Sequence, residues 1–434
     1  MNQFSISLRS LQIGSLFLAI LLFLLPWSFY GIFIGLAIIL SFLQRQENFT
    51  QSFSSDRVLN HFLLVCMAYV GLTALYIFAD DGFNLSSLKY LERYTALIAL
   101  PVAFIRIKPN TSERKDLLMA MVYGVLIVIV ICLSYAVYRN FYHSWNPFTL
   151  SNSFHQYYRD DWIAKWIFVD FFLHQEFSGI LRLHPTYLGL YVIMAAQILL
   201  QFLVEVKSIR IKLNLAFAIV FLSIIQILLL SRIGIILHFT SIIVFILVHQ
   251  KNKLLTSVAI VILVVGALVS SSMVRQRVVN QLTDVKNYIL IPSDNLISPD
   301  KLNGINLRIL NWHIAYQAID ANPMIGSGPQ HIEAKLSKTA TALNYPILFV
   351  NSHNQYLDEW LGKGLPGLLM LLIFFFLIFK VGIRQKNYLL LLFAVIFMAN
   401  CCIESMFSRE KGILALAFFC CMFMGDPNQN ISKA

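Results

Sequence analysis

Charged side chains are scarce in this chain. Asp, Glu, Lys and Arg supply 13% of its 434 residues, where soluble globular chains carry about 25%. Hydrophobic residues make up 58% and the mean hydropathy is +0.71, so a soluble globular domain is excluded and a polytopic membrane protein is expected. Acidic residues are the scarcer sign, 22 against 33 Lys and Arg, for a formal charge of +11. In a soluble chain that excess would raise nucleic-acid binding; here it is read against a bilayer, and no nucleic-acid partner is expected. The six cysteines (Cys66, Cys132, Cys401, Cys402, Cys420 and Cys421) fall within or beside apolar runs, which excludes a disulfide framework in the polar loops and a thiolate metal site. There is no phosphate-binding P-loop, dinucleotide fingerprint or nucleophile elbow, which leaves ATP-driven transport without support. Internal repeats and low-complexity segments are also absent.

What is present in quantity is long apolar runs. A hydrocarbon core about 30 Å thick needs about 20 apolar residues per helix. On that measure the chain reads as one all-α integral membrane domain, residues 1–434, with about 12 transmembrane helices near 11–26, 28–44, 58–78, 88–106, 116–138, 184–204, 212–230, 233–249, 254–272, 364–380, 387–402 and 410–425. Pro26 divides the first long run, and the first span reads as a retained anchor. Placing both termini in the cytoplasm collects Arg9, Arg45, Arg57, Arg106, Lys108, Arg114, Lys115 and the basic clusters at 207–212, 251–253 and 380–386 on the inner side, as the positive-inside rule requires.

Two segments on the outer, periplasmic side are too long for turns: 139–183 and 273–352. The first is dense in aromatics, including Tyr142, Trp145, Tyr157, Tyr158, Trp162 and Trp166, and reads either as an interfacial helix anchored by an aromatic belt or as a carbohydrate-stacking surface. The second contains an amphipathic helix from Ile305 to Ile319, ended by Asn322-Pro323 and a Gly326-Ser327-Gly328 turn.

Several basic residues do not follow this topology. Arg232 stands at an outer turn, Lys89 and Arg93 lie one helical turn apart in a span beside Glu92, Arg308 rides the amphipathic helix, and Arg409 accompanies Glu404 at the outer mouth of the last two spans. One reading has the arginines snorkel to headgroups and Arg93 neutralised by Glu92. The other has these cations converge on an anion at the outer leaflet, for which a diphosphate is the natural candidate and the arginine fork the natural partner.

The sharpest local pattern is Asn351-Ser352-His353-Asn354-Gln355-Tyr356-Leu357. With Asn351 or Ser352 as N-cap, His353 falls in the first turn of a short helix running into the tenth span, where the helix dipole favours a neutral imidazole able to take a proton. The plainer alternative is a capping or interfacial histidine. Asp358 and Glu359 follow His353 at five and six residues, off its helical face, so neither a metal nor any other cofactor is expected.

Four of these pieces occur in the order seen in the O-antigen ligase and O-antigen polymerase-like family: His184-Pro185-Thr186-Tyr187-Leu188-Gly189-Leu190-Tyr191, Ser231-Arg232-Ile233-Gly234, Leu307-Arg308 with Trp312 leading to Asn322-Pro323-Met324-Ile325-Gly326-Ser327-Gly328, and Ser352-His353-Asn354-Gln355-Tyr356-Leu357. A fifth, from Glu404 to Gly412, is similar to that family's closing segment. The chain therefore resembles these polytopic envelope glycosyltransferases, with Ile233 standing where many relatives have a small residue. What the resemblance implies is metal-independent, inverting transfer of a glycan from an undecaprenyl diphosphate carrier to an acceptor hydroxyl at the periplasmic face of the bacterial inner membrane. By the same resemblance, His353 serves as base or acceptor-positioning residue, and Arg232 and Arg308 hold the diphosphate. Arg93, Lys89, His184, Tyr187, Asn354, Tyr356 and Arg409 are the further substrate-binding candidates. The expected acceptor is lipid A-core, as in lipopolysaccharide or surface polysaccharide synthesis. A polymerase extending a carrier-linked glycan and a protein O-oligosaccharyltransferase share the carrier chemistry, and a lipid-linked oligosaccharide transporter is the competing class.

Overall fold

The computed structural model describes residues 7–26, 29–43, 57–81, 84–145, 172, 174–249, 304–345 and 351–425, and no strand occurs among them. The helices are α1 (Leu8–Leu21), α2 (Phe29–Leu43), α3 (Arg57–Asp81), α4 (Leu85–Glu92), α5 (Ala96–Ile107), α6 (Thr111–Trp145), α7 (His174–Ser178), α8 (Pro185–Glu205), α9 (Ile209–Leu228), α10 (Arg232–His249), α11 (Gly304–Asp320), α12 (Ile332–Ala342), α13 (Gln355–Gln385), α14 (Tyr388–Cys401) and α15 (Glu410–Met424), with 3-10 turns at Gly179–Leu181 and Met406–Ser408. Six of them, α3, α6, α8, α9, α10 and α13, are long and apolar enough to cross a membrane, and α1, α2, α5 and α14 are shorter apolar helices. Such a chain is an integral membrane protein, because only a helix or a closed barrel satisfies its backbone polar groups in hydrocarbon.

The chain divides into two compact units, one formed by 1–52 and 102–242, the other by 53–101 and 243–434. In the first, α1 packs on α2 and α6, α6 on α8, and α8 on α9. Helix α8 is apolar on every face, and every residue from Pro185 to Leu200 is buried, as expected of a helix enclosed by others. Arg9 ties α1 to α6 through Glu113 at 2.5 Å. In the second unit, α13 packs on α3, α11 and α14, and α11 packs on α12. Leu310, Ile314, Ala315, Ala318 and Ile319 of α11 join Leu336 and Ala340 of α12 and Leu361 of α13 in one buried cluster. Each fully buried leucine or isoleucine there contributes roughly 1.5–3 kcal/mol, which seats the amphipathic helix on α13.

Two expectations are corrected. The span placed at 88–106 is two helices, α4 and α5, separated by a turn at Arg93–Thr95, and neither is long enough to cross alone. The polar stretch Lys89 to Thr95 interrupts the apolar pattern and leaves α4 with Lys89 and Glu92 exposed. The second concerns His353: the expected short helix begins at Gln355 after the Asn354 cap and runs across a kink at Gly364, where φ is 63°, into the span that ends at Gln385, so His353 lies ahead of the helix instead of in its first turn. The amphipathic helix expected from Ile305 to Ile319 is found as Gly304–Asp320. The span expected at 254–272, with most of the outer segments 139–183 and 273–352, lies outside the described residues.

Candidate functional site

The histidine turn belongs to the second unit, and its geometry follows from short-range chemistry. The side-chain oxygen of Asn354 accepts the backbone N–H groups of Tyr356 at 3.0 Å and Leu357 at 3.2 Å, so Asn354 is the N-cap of α13. His353 therefore precedes the cap rather than sitting in the first turn. Its backbone is left-handed at φ 53°, a region that non-glycine residues rarely occupy and that clusters at functional sites. Side chains on both flanks hold it there. Asn351 Oδ1 accepts the His353 N–H at 3.0 Å, and Asp358 Oδ1 accepts both the N–H and the hydroxyl of Ser352, at 3.0 and 2.6 Å.

The imidazole itself is oriented by the fifth sequence piece. His353 Nδ1 lies 3.2 Å from Glu404 Oε1, with the histidine side chain 33% exposed and the glutamate 6%. With its proton on Nδ1, the ring donates to the buried carboxylate and keeps the Nε2 lone pair, which makes it a hydrogen-bond acceptor of fixed direction. A partly exposed, oriented acceptor of this kind is the arrangement required to remove a proton from a hydroxyl.

Beneath this turn, α13 breaks, and the Asn322–Gly328 loop covers the break. Ser327 and Gly328 donate their N–H groups to the carbonyls of Leu361 and Gly362 at 2.8 and 2.9 Å, and Leu365 donates to Pro323 O at 3.1 Å. The backbone groups exposed by a kink in an apolar helix are thus satisfied by the loop. The approach explains the glycines: a Cβ on Gly326 would meet Gly364 N, and one on Gly364 would meet the Met324 carbonyl. Trp360 Nε1–H donates to Pro323 O at 2.9 Å and closes the same contact.

The other second-unit candidates are placed as follows. Arg308 is partly buried on α11, adjacent to the face that packs on α13. Arg93 lies over the Tyr90 ring, 4.1 Å from its centroid, and donates to Ser408 O at 3.4 Å, so its partners are an aromatic face and a carbonyl instead of Glu92. Lys89 and Arg409 are exposed. Tyr356 donates its hydroxyl to Met398 O at 3.4 Å.

Arg232, His184 and Tyr187 belong to the first unit. Arg232 is exposed at the start of α10, after a turn in which Leu230 takes φ 48°. Two residues further on, a Cβ on Gly234 would meet the Gln226 carboxamide, which would have to move aside; a Cβ on Gly189 of α8 would lie 3.0 Å from the same amide. Glycines of two separate sequence pieces therefore accommodate one buried glutamine of α9. His184 is the N-cap of α8, its Nδ1 accepting Thr186 N–H at 3.4 Å, and Tyr187 is buried with 2% exposure.

Reasoning from sequence missed the polar stripe Gln355, Glu359 and Lys363, which the structure buries in α13. The signal was there: three polar residues at successive spacings of four within a span are a stacked polar line on one helix face. It also left Glu404 as a companion of Arg409, since a pairing 51 residues away has no local signature.

A family model described as O-antigen ligase matches residues 217–372. Over that stretch, about a third of its length, the chain is similar to O-antigen ligases. The match takes in Arg232, Arg308 and His353, while Arg93, His184, Glu404 and Arg409 lie outside it. No curated protein matches the chain at a significant level.

Proposed function

We propose that the protein is an inverting glycosyltransferase that moves a glycan from an undecaprenyl diphosphate carrier to a hydroxyl of lipid A-core, at the periplasmic face of the bacterial inner membrane. The observation that carries this reading is the His353–Glu404 pair, 3.2 Å apart at the head of an apolar helix within a chain of the O-antigen ligase kind. His353 Nε2 takes the proton of the acceptor hydroxyl as its oxygen attacks the anomeric carbon from the face opposite the carrier. The new C–O bond forms as the anomeric carbon–oxygen bond to the diphosphate breaks, and the bonding pair leaves with the diphosphate. Glu404 stabilises the imidazolium that results. Arg308, in the same unit as His353, meets with its guanidinium fork the charge that grows on the leaving diphosphate.

The test is transfer by the purified protein in lipid, with a polyprenyl-diphosphate-linked glycan as donor and lipid A-core as acceptor. Labelled lipid A-core in the wild type, lost in folded His353→Ala and Arg308→Ala variants, is the expected result. Lengthening of the carrier-linked glycan without labelling of lipid A-core would replace the ligase by a polymerase. Undiminished transfer in His353→Ala would remove the base assignment.

A further inference from the structure

The second unit contains a buried polar chain that the transfer scheme above does not use. Gln355, Glu359 and Lys363 stack at i, i+4 and i+8 on one face of α13, and they are 2%, 3% and 2% exposed. Lys363 Nζ lies 2.6 Å from Glu359 Oε2 and 3.2 Å from Thr73 Oγ1, and 3.9 Å from the centroid of the Tyr69 ring. Glu359 Oε1 accepts the Tyr69 hydroxyl at 2.6 Å and Gln355 Nε2–H at 2.7 Å. At the far end, Gln355 Oε1 accepts the backbone N–H of Phe407 at 2.6 Å.

Stability alone does not explain such a chain. Apolar residues of similar volume in place of a buried ion pair are often neutral or stabilising, because the charges lose their hydration. The pair's distinctive property is directional. A charged Glu359 only accepts, so it draws the NH2 side of the Gln355 amide toward itself and leaves the amide oxygen facing Phe407. Lys363, held by Thr73 and the Tyr69 ring, keeps that carboxylate in place. Phe407 lies in the segment that also contains Glu404, where Met406 N–H closes a tight turn on Glu404 O at 3.0 Å. Fixing Phe407 thereby fixes the backbone from which Glu404 reaches His353.

We propose that the Glu359–Lys363 pair, acting through Gln355 on Phe407, is a positioning device that sets Glu404 and hence the His353 ring. Its consequence for catalysis rests on the reading of His353 as the base; its hold on the 404–409 segment does not. The test compares wild type, Lys363→Met, Gln355→Leu and the double variant Glu359→Leu/Lys363→Met, by thermal unfolding, by amide exchange across 403–409 and by transfer kinetics. Lys363→Met alone lowers the unfolding temperature, because Glu359 is left buried and unpaired. In the double variant that temperature returns to the wild-type value or above. Exchange in 405–408 nevertheless speeds up in the double variant and in Gln355→Leu, and kcat falls by roughly 10- to 100-fold with the donor KM within about twofold of wild type. A merely structural pair would restore kcat along with stability. Unchanged exchange at 405–408 overturns the proposal, as does faster exchange with a wild-type kcat. An inactive wild type would sink the transferase reading, while the exchange measurement would still decide whether the pair holds the segment.

Discussion

The arginine turn of the first unit and the histidine turn of the second solve a similar problem by different means. Each places a chemistry-bearing side chain beside an apolar helix, and each has a non-glycine residue in the left-handed region, Leu230 at φ 48° before Arg232 and His353 itself at φ 53°. In the histidine turn, the side-chain oxygens of Asn351, Asn354, Asp358 and Glu404 accept hydrogen bonds that fix it. At the arginine turn, Gln226 fills the space left by Gly189 and Gly234. On the proposed reading of His353 as the base, one lone pair must point at one proton, which a turn fixed by several hydrogen bonds provides, whereas a long arginine side chain tolerates small shifts of its backbone.

Substitutions can break or sharpen that contrast. The largest effect is expected for His353→Ala, a loss of about 10²- to 10⁴-fold in transfer, beyond the stability of about 1–3 kcal/mol lost when buried Glu404 is deprived of its ring partner, measured with the carrier-linked donor. Retained activity in a folded variant would make the turn structural. Next comes Asp358→Ala, which strips the Ser352 N–H and hydroxyl of their buried acceptor. It should destabilise by about 1–3 kcal/mol and lower kcat, both visible in denaturation and transfer assays. At the arginine turn, Gly234→Ala pushes a Cβ against the movable end of Gln226 and should cost about 1 kcal/mol, the low end for an overpacked site. Adding Gln226→Ala should relieve it, and failure of that rescue in thermal unfolding would dismiss steric fit as the organising device. The smallest effect is expected for Lys89→Ala, an exposed position on α4, with stability within about 0.5 kcal/mol of wild type; a larger shift in unfolding would reveal a structural contact for that lysine.

Much of the molecule was legible before any coordinates. Apolar runs located the helices from α1 to α3 and from α8 to α10, because their boundaries are written in local composition. Asn322-Pro323 was legible as the end of α11 for a similarly local reason, proline being unable to continue a helix. The misreadings share one cause. The split of 88–106 into α4 and α5 and the displacement of His353 ahead of its cap both turn on polar residues that satisfy the backbone or one another, and hydropathy alone does not say which partner each will choose.

The sequence by itself therefore determined the membrane class, the helical content and the likeness of residues 217–372 to O-antigen ligases, because hydrophobicity, helix breaks and motif order are properties of neighbours along the chain. Tertiary structure decided that Glu404 meets His353, that Gly326 lies against Gly364, and that Gln355, Glu359 and Lys363 join Tyr69 and Thr73 in one buried chain. Those partners are dozens to hundreds of residues apart. Only the packing of α3, α11 and the 404–409 segment on α13 brings them within the few ångströms over which a hydrogen bond or a buried charge pair acts.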